Sequence, residues 1–372
     1  MKRSYTVILN FAHAINDLYG NIISGLLPAL AAIFGLSYLL AGSIAMVYNV
    51  VSSMLQPLLG RWFDRTRRLW IMELGLVVNC AGMSFVGIAP TYTVILFLVG
   101  TAGLGCAAFH PVAFCRVVET SDKSRGGRLG IFLSSGNTGA FLAPMVGGLI
   151  VSTVGMSGTL YLLPVGIVLT LLLLGYRSDA GNMMRISPRQ ETNRRLVAIL
   201  SVITALRSIA VQPIIAFLPL YFVAKGNTLF FATAIASLWM GLAVTGQVVG
   251  GRISDRVGRR PVILVSLFLG SALFYGFLAT SGFLSLLFLT FSAVALYGGW
   301  SVIVAMSSEA APSSVGAVSG IMLGFAIGVG GVATAAFGGL ADAIGLEPAF
   351  YISTAFAVAA GLFSLVLPKQ ET

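Results

Sequence analysis

Twelve apolar stretches, each about as long as a bilayer is thick, divide this chain, and that pattern leaves few folds open. They run at about 5–32, 39–60, 69–89, 92–115, 128–153, 158–176, 196–223, 230–251, 261–281, 284–306, 314–340 and 347–367. At 1.5 Å per residue, roughly 20 helical residues cross about 30 Å of hydrocarbon. Of 372 residues, 57% are hydrophobic and 9% charged, where soluble domains carry roughly 25% charge. The expected fold is an all-α membrane protein with twelve transmembrane helices. The first stretch is too long for a signal-peptide core and lacks a small-residue cleavage pattern, so it reads as a retained helix.

The charge of +10 would suit a nucleic-acid binder, but its distribution excludes one. Twenty of the 22 Lys and Arg residues fall at the N-terminus, in 61–68, 116–128, 177–195 and 252–260, or at the C-terminus. Those segments are every second connection and so share one side with both termini, which the positive-inside rule places in the cytoplasm. Scattered over short loops, the basic groups meet membrane lipid rather than form a nucleic-acid surface. Cys80, Cys106 and Cys115 lie inside apolar stretches and are odd in number, which is no disulfide framework. Short loops point to a monomer in a prokaryotic inner membrane.

The polar stretch 177–195, "RSDAGNMMRISPRQETNRR", separates two sets of six helices, giving bundles at 1–176 and 196–372 joined by a cytoplasmic linker. The two sets repeat each other. "QPLLGRWFDR" at 56–65 aligns with "QVVGGRISDR" at 247–256 at an offset of 191 residues. The same offset places Leu27-Pro28 on Leu218-Pro219, Arg68 on Arg259, Gly139 on Gly330, and Gly147-Gly148 on Gly338-Gly339. Paired six-helix repeats are expected of transporters that rock two bundles about a site near the membrane midplane.

The segments "GRWFDRTRR" (60–68) and "GGRISDRVGRR" (250–260) resemble the signature of the major facilitator superfamily between helices 2 and 3, present again between helices 8 and 9. The resemblance covers the whole chain and implies a latch at the cytoplasmic side. In that latch Gly60 and Gly251 permit close backbone approach. Asp64 and Asp255 would bond a neighbouring helix N-terminus or an Arg in one state and release it in the other. Arg65, Arg68, Arg256 and Arg259 complete the gating set. Thr66 and Arg67 stand where the second copy has Val257 and Gly258, so the tight Gly turn is missing from the first copy.

"HAINDLYGNIISGLLPAL" (13–30), "AAFHPVAFCR" (107–116) and "LRSIAVQPIIAFLPLY" (206–221) are similar to the fosmidomycin-resistance type of efflux protein within that superfamily. Where that group is expected to carry an acidic residue after His-Pro, this chain has Val112. "GNTGAFLAPMVGG" (136–148) resembles the helix 5 signature of proton-driven antiporters, with Ala143 replacing the usual Gly. The same glycines also suit close helix packing alone.

Asp17 and Arg207 are ionisable groups deep inside apolar helices, where a charge costs roughly 2.5–3.5 kcal/mol on insertion scales and marks a pathway or a partner. His13 and Asp17 are four residues apart, on one helical face. The carboxylate stabilises a charged imidazolium and burial opposes it, so the pair can hold and release a proton. His110, ahead of Pro111, is a third candidate for proton coupling. At the 191-residue offset Arg207 falls on Asn16, which predicts a contact between the two bundles in which Arg207 competes for Asp17 or binds an anionic substrate. Asn16, Tyr48, Asn49, Asn137, Gln212, Trp239 and Trp300 are candidate pocket residues for an amphipathic ligand. Cys106 stands four residues before His110, a spacing also compatible with a transition metal.

These residues point to a secondary transporter working by alternating access, an exporter exchanging a small amphipathic or anionic compound for protons, with no cofactor. A facilitator or proton symporter of an organic anion is the nearest alternative, followed by a transition-metal transporter. A membrane enzyme or receptor would need a nucleophile–base arrangement or a ligand-presenting domain, and no such pattern stands out; nor does a nucleotide-binding loop.

Overall fold

A computed structural model describes residues 2–66, 68–119, 125–176, 193–310 and 315–368. The spans are α1 (Ser4–Phe34), α2 (Tyr38–Phe63), α3 (Trp70–Ile88), α4 (Tyr92–Val117), α5 (Gly130–Val154), α6 (Met156–Gly175), α7 (Arg194–Ala224), α8 (Leu229–Val257), α9 (Arg259–Ala279), α10 (Gly282–Ala310), α11 (Gly324–Ile344) and α12 (Leu346–Val366). The expected linker lies outside the described residues except at 193–195. The architecture is all-helical, as the apolar pattern predicts.

The chain punctuates these helices in local ways. The Ser37 hydroxyl accepts from Leu40 N at the start of α2, Thr228 from Phe231 N at the start of α8, and the Asn193 side chain from Leu196 N at the start of α7. Gly35 ends α1 in the left-handed region at φ 60°, and Gly258 turns the chain from α8 into α9 at φ 87°. The second signature copy is therefore not a loop. Helix α8 runs through it to Val257, and in the first copy helix continues to Thr66. The turn starts later than the charges suggest because Arg and Asp tolerate a helix that has left the hydrocarbon.

The two halves meet through glycines that follow the repeat. A Cβ on Gly148 of α5 would lie 2.0 Å from Thr233 Oγ1 on α8, and one on Gly338 of α11 would lie 2.2 Å from Tyr38 O on α2. A Cβ on Gly42 of α2 would lie 2.6 Å from Thr334 O on α11. Small residues let backbones approach where lipid offers no hydrophobic drive between helices.

At the end away from the termini the two halves touch, with the Tyr38 ring of α2 against Phe217 of α7. One buried apolar cluster runs through both halves, from Leu26, Leu27 and Leu30 of α1 and Phe217, Leu218 and Phe337 of α7 and α11 at that end to Leu200, Met306 and Leu367 nearer the termini. Nearer the termini a second cluster, with Tyr5, Leu9, Phe63, Phe109 and Phe132, contains residues of the N-terminal half alone. The far end also carries a latch that the residue pattern does not announce. Asp342 of α11 accepts from Tyr38 N at 2.7 Å and Leu39 N at 2.9 Å, placing a carboxylate on the N-terminus of α2.

Candidate functional site

Three titratable side chains converge on the inner face of the N-terminal half. His13 Nε2 lies 3.3 Å from Asp17 Oδ2, and His110 Nε2 lies 3.1 Å from Asp17 Oδ1. The first contact follows from helical spacing on α1; the second brings in α4 across 93 residues of sequence. His13 is held by Phe132, whose ring stacks on it at 3.9 Å between centroids and whose carbonyl lies 2.8 Å from Nδ1. Gly136 makes the space, since a Cβ there would fall 2.5 Å from His13 Cε1 and 2.6 Å from Asp17 Oδ2.

Hydrogen positions in this cluster follow from its acceptors. A carbonyl oxygen only accepts, so the N–H of neutral His13 is on Nδ1, facing Phe132 O, and its Nε2 presents a lone pair to Asp17. That lone pair and an ionised carboxylate repel, so the contact is attractive only with a further proton between Nε2 and Oδ2. His110 has two arrangements, because its Nδ1 lies 3.1 Å from Cys106 O and 3.4 Å from Cys106 Sγ. When Nδ1 accepts from the thiol, Nε2–H donates to Asp17; when Nδ1–H turns to the carbonyl, a second extra proton fits. Asn16 Nδ2 donates to Asp17 Oδ1 at 3.2 Å, and Asn79 Nδ2 holds Asn16 Oδ1 at 2.9 Å. His13 is nearly sealed off, whereas Asp17 and His110 keep 21% and 26% of their side chains exposed.

One turn along α1 from Asp17, a small cavity of about 30 Å³ lies between the halves, lined by residues that include Gly20, Asn21, Tyr48, Asn49 and Gln212. Its volume suits a water molecule and is too small for an organic substrate. Its wall is tight: Cβ atoms on Gly330 and Gly331 of α11 would lie 2.2 Å from Gln212 Cγ and 2.8 Å from Asn49 Cβ.

Several sequence expectations are corrected. Arg207 makes no ion pair with Asp17 among the described residues. It is turned into its own half, its Nε donating to Leu296 O at 3.2 Å and its guanidinium lying over the Tyr297 and Trp300 rings. Asn16 turns likewise to Asn79 and Cys106. The repeat explains why: at the 191-residue offset Cys106 falls on Tyr297, so both residues make the equivalent contact inside separate bundles. Trp239 falls on Tyr48 but leaves the cavity, donating from Nε1 to Ser292 Oγ and bordering a lateral apolar groove of about 230 Å³ with Leu238 and Phe283. Asn137 is half-buried beside Gly136.

In the gating set, Gly60 and Gly251 make only ordinary approaches, their Cβ positions lying 3.4 Å from Pro111 Cβ and Ser301 Oγ. The close approach belongs to Gly250, where a Cβ would lie 1.9 Å from Gly298 O. Asp255, Arg256, Arg65 and Arg68 are exposed, while Arg259 forms a two-pronged ion pair with Glu309. The Asp64 side chain lies outside the described residues. Val112 is buried among Phe109, Ala113 and Leu9, so nothing acidic stands after His-Pro.

His13, Asp17 and His110 place one ligand atom each within 4.8 Å of one another, a spacing that a metal ion could bridge. The described residues supply no fourth donor, since Cys106 Sγ faces the other nitrogen of His110.

The sequence description Major Facilitator Superfamily matches residues 9–244 and 200–372. The chain belongs to this superfamily. Within it, the chain is 30% identical to the MFS-type transporter YfnC of Bacillus subtilis, over 98% of this chain and 93% of that protein. It is 26% identical to the fosmidomycin resistance protein of Escherichia coli, over 98% and 92%. A solved superfamily structure, a bacterial homologue of the human lysosomal transporter Spinster in an inward-facing and occupied conformation, matches with a TM-score of 0.87 at 16% identity, covering 97% of this chain and 95% of that one. The chain is thus a multi-pass membrane transporter of small molecules, and its superfamily relatives are transporters rather than enzymes.

Proposed function

We propose that this transporter is a proton-coupled exporter, in which Asp17, His13 and His110 carry the proton and a small organic compound leaves in exchange. The observation that carries the reading is the His13 contact: an imidazole whose N–H is committed to Phe132 O faces a carboxylate at 3.3 Å, an arrangement that needs a proton to be attractive. Loading that proton takes the cluster from net −1 to neutral. Since a charge inside the membrane is costly, the loaded and unloaded forms favour different degrees of water access, and hence different states of the seam.

The fosmidomycin and tetracycline resistance proteins among its relatives support the outward direction. In this reading both basic termini face the cytoplasm, the closed seam faces outward, and Tyr48, Asn49, Asn137 and Gln212 contact substrate once the halves part. The protein works as a monomer in the inner membrane. Reconstituted vesicles with pH gradients of each sign test the coupling. Substrate accumulation on the acidic side is expected of exchange; accumulation on the alkaline side would show symport, and indifference to the gradient would show a facilitator.

A further inference from the structure

Two imidazole lone pairs and a carboxylate converge on one point between α1 and α4. His13 Nδ1–H is committed to Phe132 O at 2.8 Å, which leaves the Nε2 lone pair facing Asp17 Oδ2 at 3.3 Å. His110 Nδ1 lies 3.1 Å from Cys106 O, and when its N–H turns to that carbonyl, the Nε2 lone pair faces Asp17 Oδ1 at 3.1 Å. The three ligand atoms lie within 4.8 Å of one another, and the imidazoles stand edge-on with 5.3 Å between centroids. Both contacts are attractive only with a cation between the atoms: a proton at each, or one metal ion shared by all three residues.

The distances and the surroundings fit the shared ion. Bonds of about 2.0–2.1 Å in tetrahedral array hold ligand atoms of different residues about 3.3 Å apart, and the two contacts that share Asp17 measure 3.3 and 3.1 Å. Ligating histidines donate their other ring N–H to a carbonyl or carboxylate, which fixes the tautomer. Phe132 O and Cys106 O stand at those positions. Asn16 Nδ2 donates to Asp17 Oδ1 at 3.2 Å, and Asn79 in turn holds Asn16. A single proton held between Asp17 and one histidine would need only one of the two carbonyls. Gly136 of α5 keeps the meeting point clear, since a Cβ there would lie 2.6 Å from both His13 Nε2 and Asp17 Oδ2.

The geometry points to a transition-metal site at His13 Nε2, His110 Nε2 and the Asp17 carboxylate, taking a borderline divalent ion such as Zn²⁺. Two imidazoles and a carboxylate suit such an ion and not Mg²⁺ or Ca²⁺, which take oxygen ligands. Cys106, the cysteine that sequence spacing pairs with His110, is not a ligand, because its Sγ faces Nδ1. Asp17 and His110 keep 21% and 26% of their side chains exposed, so solvent supplies the remaining ligand, as in open three-residue sites. The ion ties α1 to α4 and takes the place of the exchanged protons, so transport stops while it is bound. That block rests on the proton-coupling reading; the binding itself does not.

The test uses the full chain in detergent, purified without a polyhistidine tag, stripped with chelator and held at one pH with no gradient. Bound Zn²⁺ is counted by equilibrium dialysis, Co²⁺ is followed by its visible absorption, which intensifies when the ion leaves six-coordination, and melting temperature is recorded with Zn²⁺ and with Mg²⁺. One Zn²⁺ per chain and a higher melting temperature are expected, with no shift in Mg²⁺. His110→Gln, at the partly exposed imidazole, and Asp17→Asn should each weaken binding roughly a hundredfold or more, and Cys106→Ser should keep it. No binding to wild type, binding that survives both ligand substitutions, an equal response to Mg²⁺, or a loss in Cys106→Ser matching that in His110→Gln would overturn the site. Should neither ligand variant fold, the wild-type Co²⁺ spectrum decides, a six-coordinate one overturning it. In vesicles, Zn²⁺ bound at one per chain while exchange keeps running would uphold the site and overturn the proton-carrying role of the cluster.

Discussion

Replacing Asp17 by Asn and by Ala separates proton carriage from structural support. In Asp17→Asn the amide Nδ2–H can donate to His13 Nε2, and Oδ1 can accept from His110 Nε2–H while Cys106 donates to Nδ1. Every group is then paired with no extra proton. The expected cost to stability is under about 1 kcal/mol, the scale of one hydrogen bond exchanged for another. In Asp17→Ala the two Nε2 atoms, at 3.1 and 3.3 Å, lose their shared partner. Each buried polar group left alone costs about 1–3 kcal/mol, and the partial exposure of His110 favours the lower end, so about 2–3 kcal/mol in total. Thermal unfolding in detergent measures the stabilities. Transport in vesicles, with and without a pH gradient, measures the coupling. The Asn variant is expected to lose gradient-driven accumulation and to keep substrate exchange. Full gradient-driven transport by Asp17→Asn, or equal stability of the two variants, would refute the reasoning.

Gly136→Ala puts a methyl group within 2.6 Å of both His13 and Asp17, and should cost about 1–3 kcal/mol by overpacking while lowering coupled transport more than folding yield. Asp342→Asn weakens the two bonds to the start of α2; crosslinking between cysteines placed at 39 and 339 should fall as the far end opens more often. Gly250→Ala drives a Cβ into Gly298 O and should impair folding far more than Gly251→Ala, as expression and melting temperature would show. Lys225, outside the spans, has its pKa raised by its hydrogen bond to Glu347. A raised Lys pKa adds stability that is fully present below the ordinary Lys value and lost as pH climbs through the folded one. Lys225→Ala should therefore change stability equally at pH 6 and 8, and by under about 0.5 kcal/mol, because the pair is largely exposed.

The sequence by itself determined the helices, their number, the two-fold repeat and the contact within α1 between His13 and Asp17. Each of these rests on spacing along one chain, in hydropathy or in helical period, and needs no knowledge of neighbours. Helix ends were less legible where charged residues continue a helix beyond the hydrocarbon, as at Arg252–Val257. Only the tertiary structure decided which residues meet across helices. It brought His110 to Asp17, turned Arg207 away from Asp17 onto α10, took Trp239 out of the cavity and gave the close approach to Gly250 instead of Gly251. The repeat register shows which depth Asn16 and Arg207 share, but depth does not say toward which neighbour a side chain points. That direction depends on the rotation of each helix about its axis, set by the glycine and aromatic packing between helices.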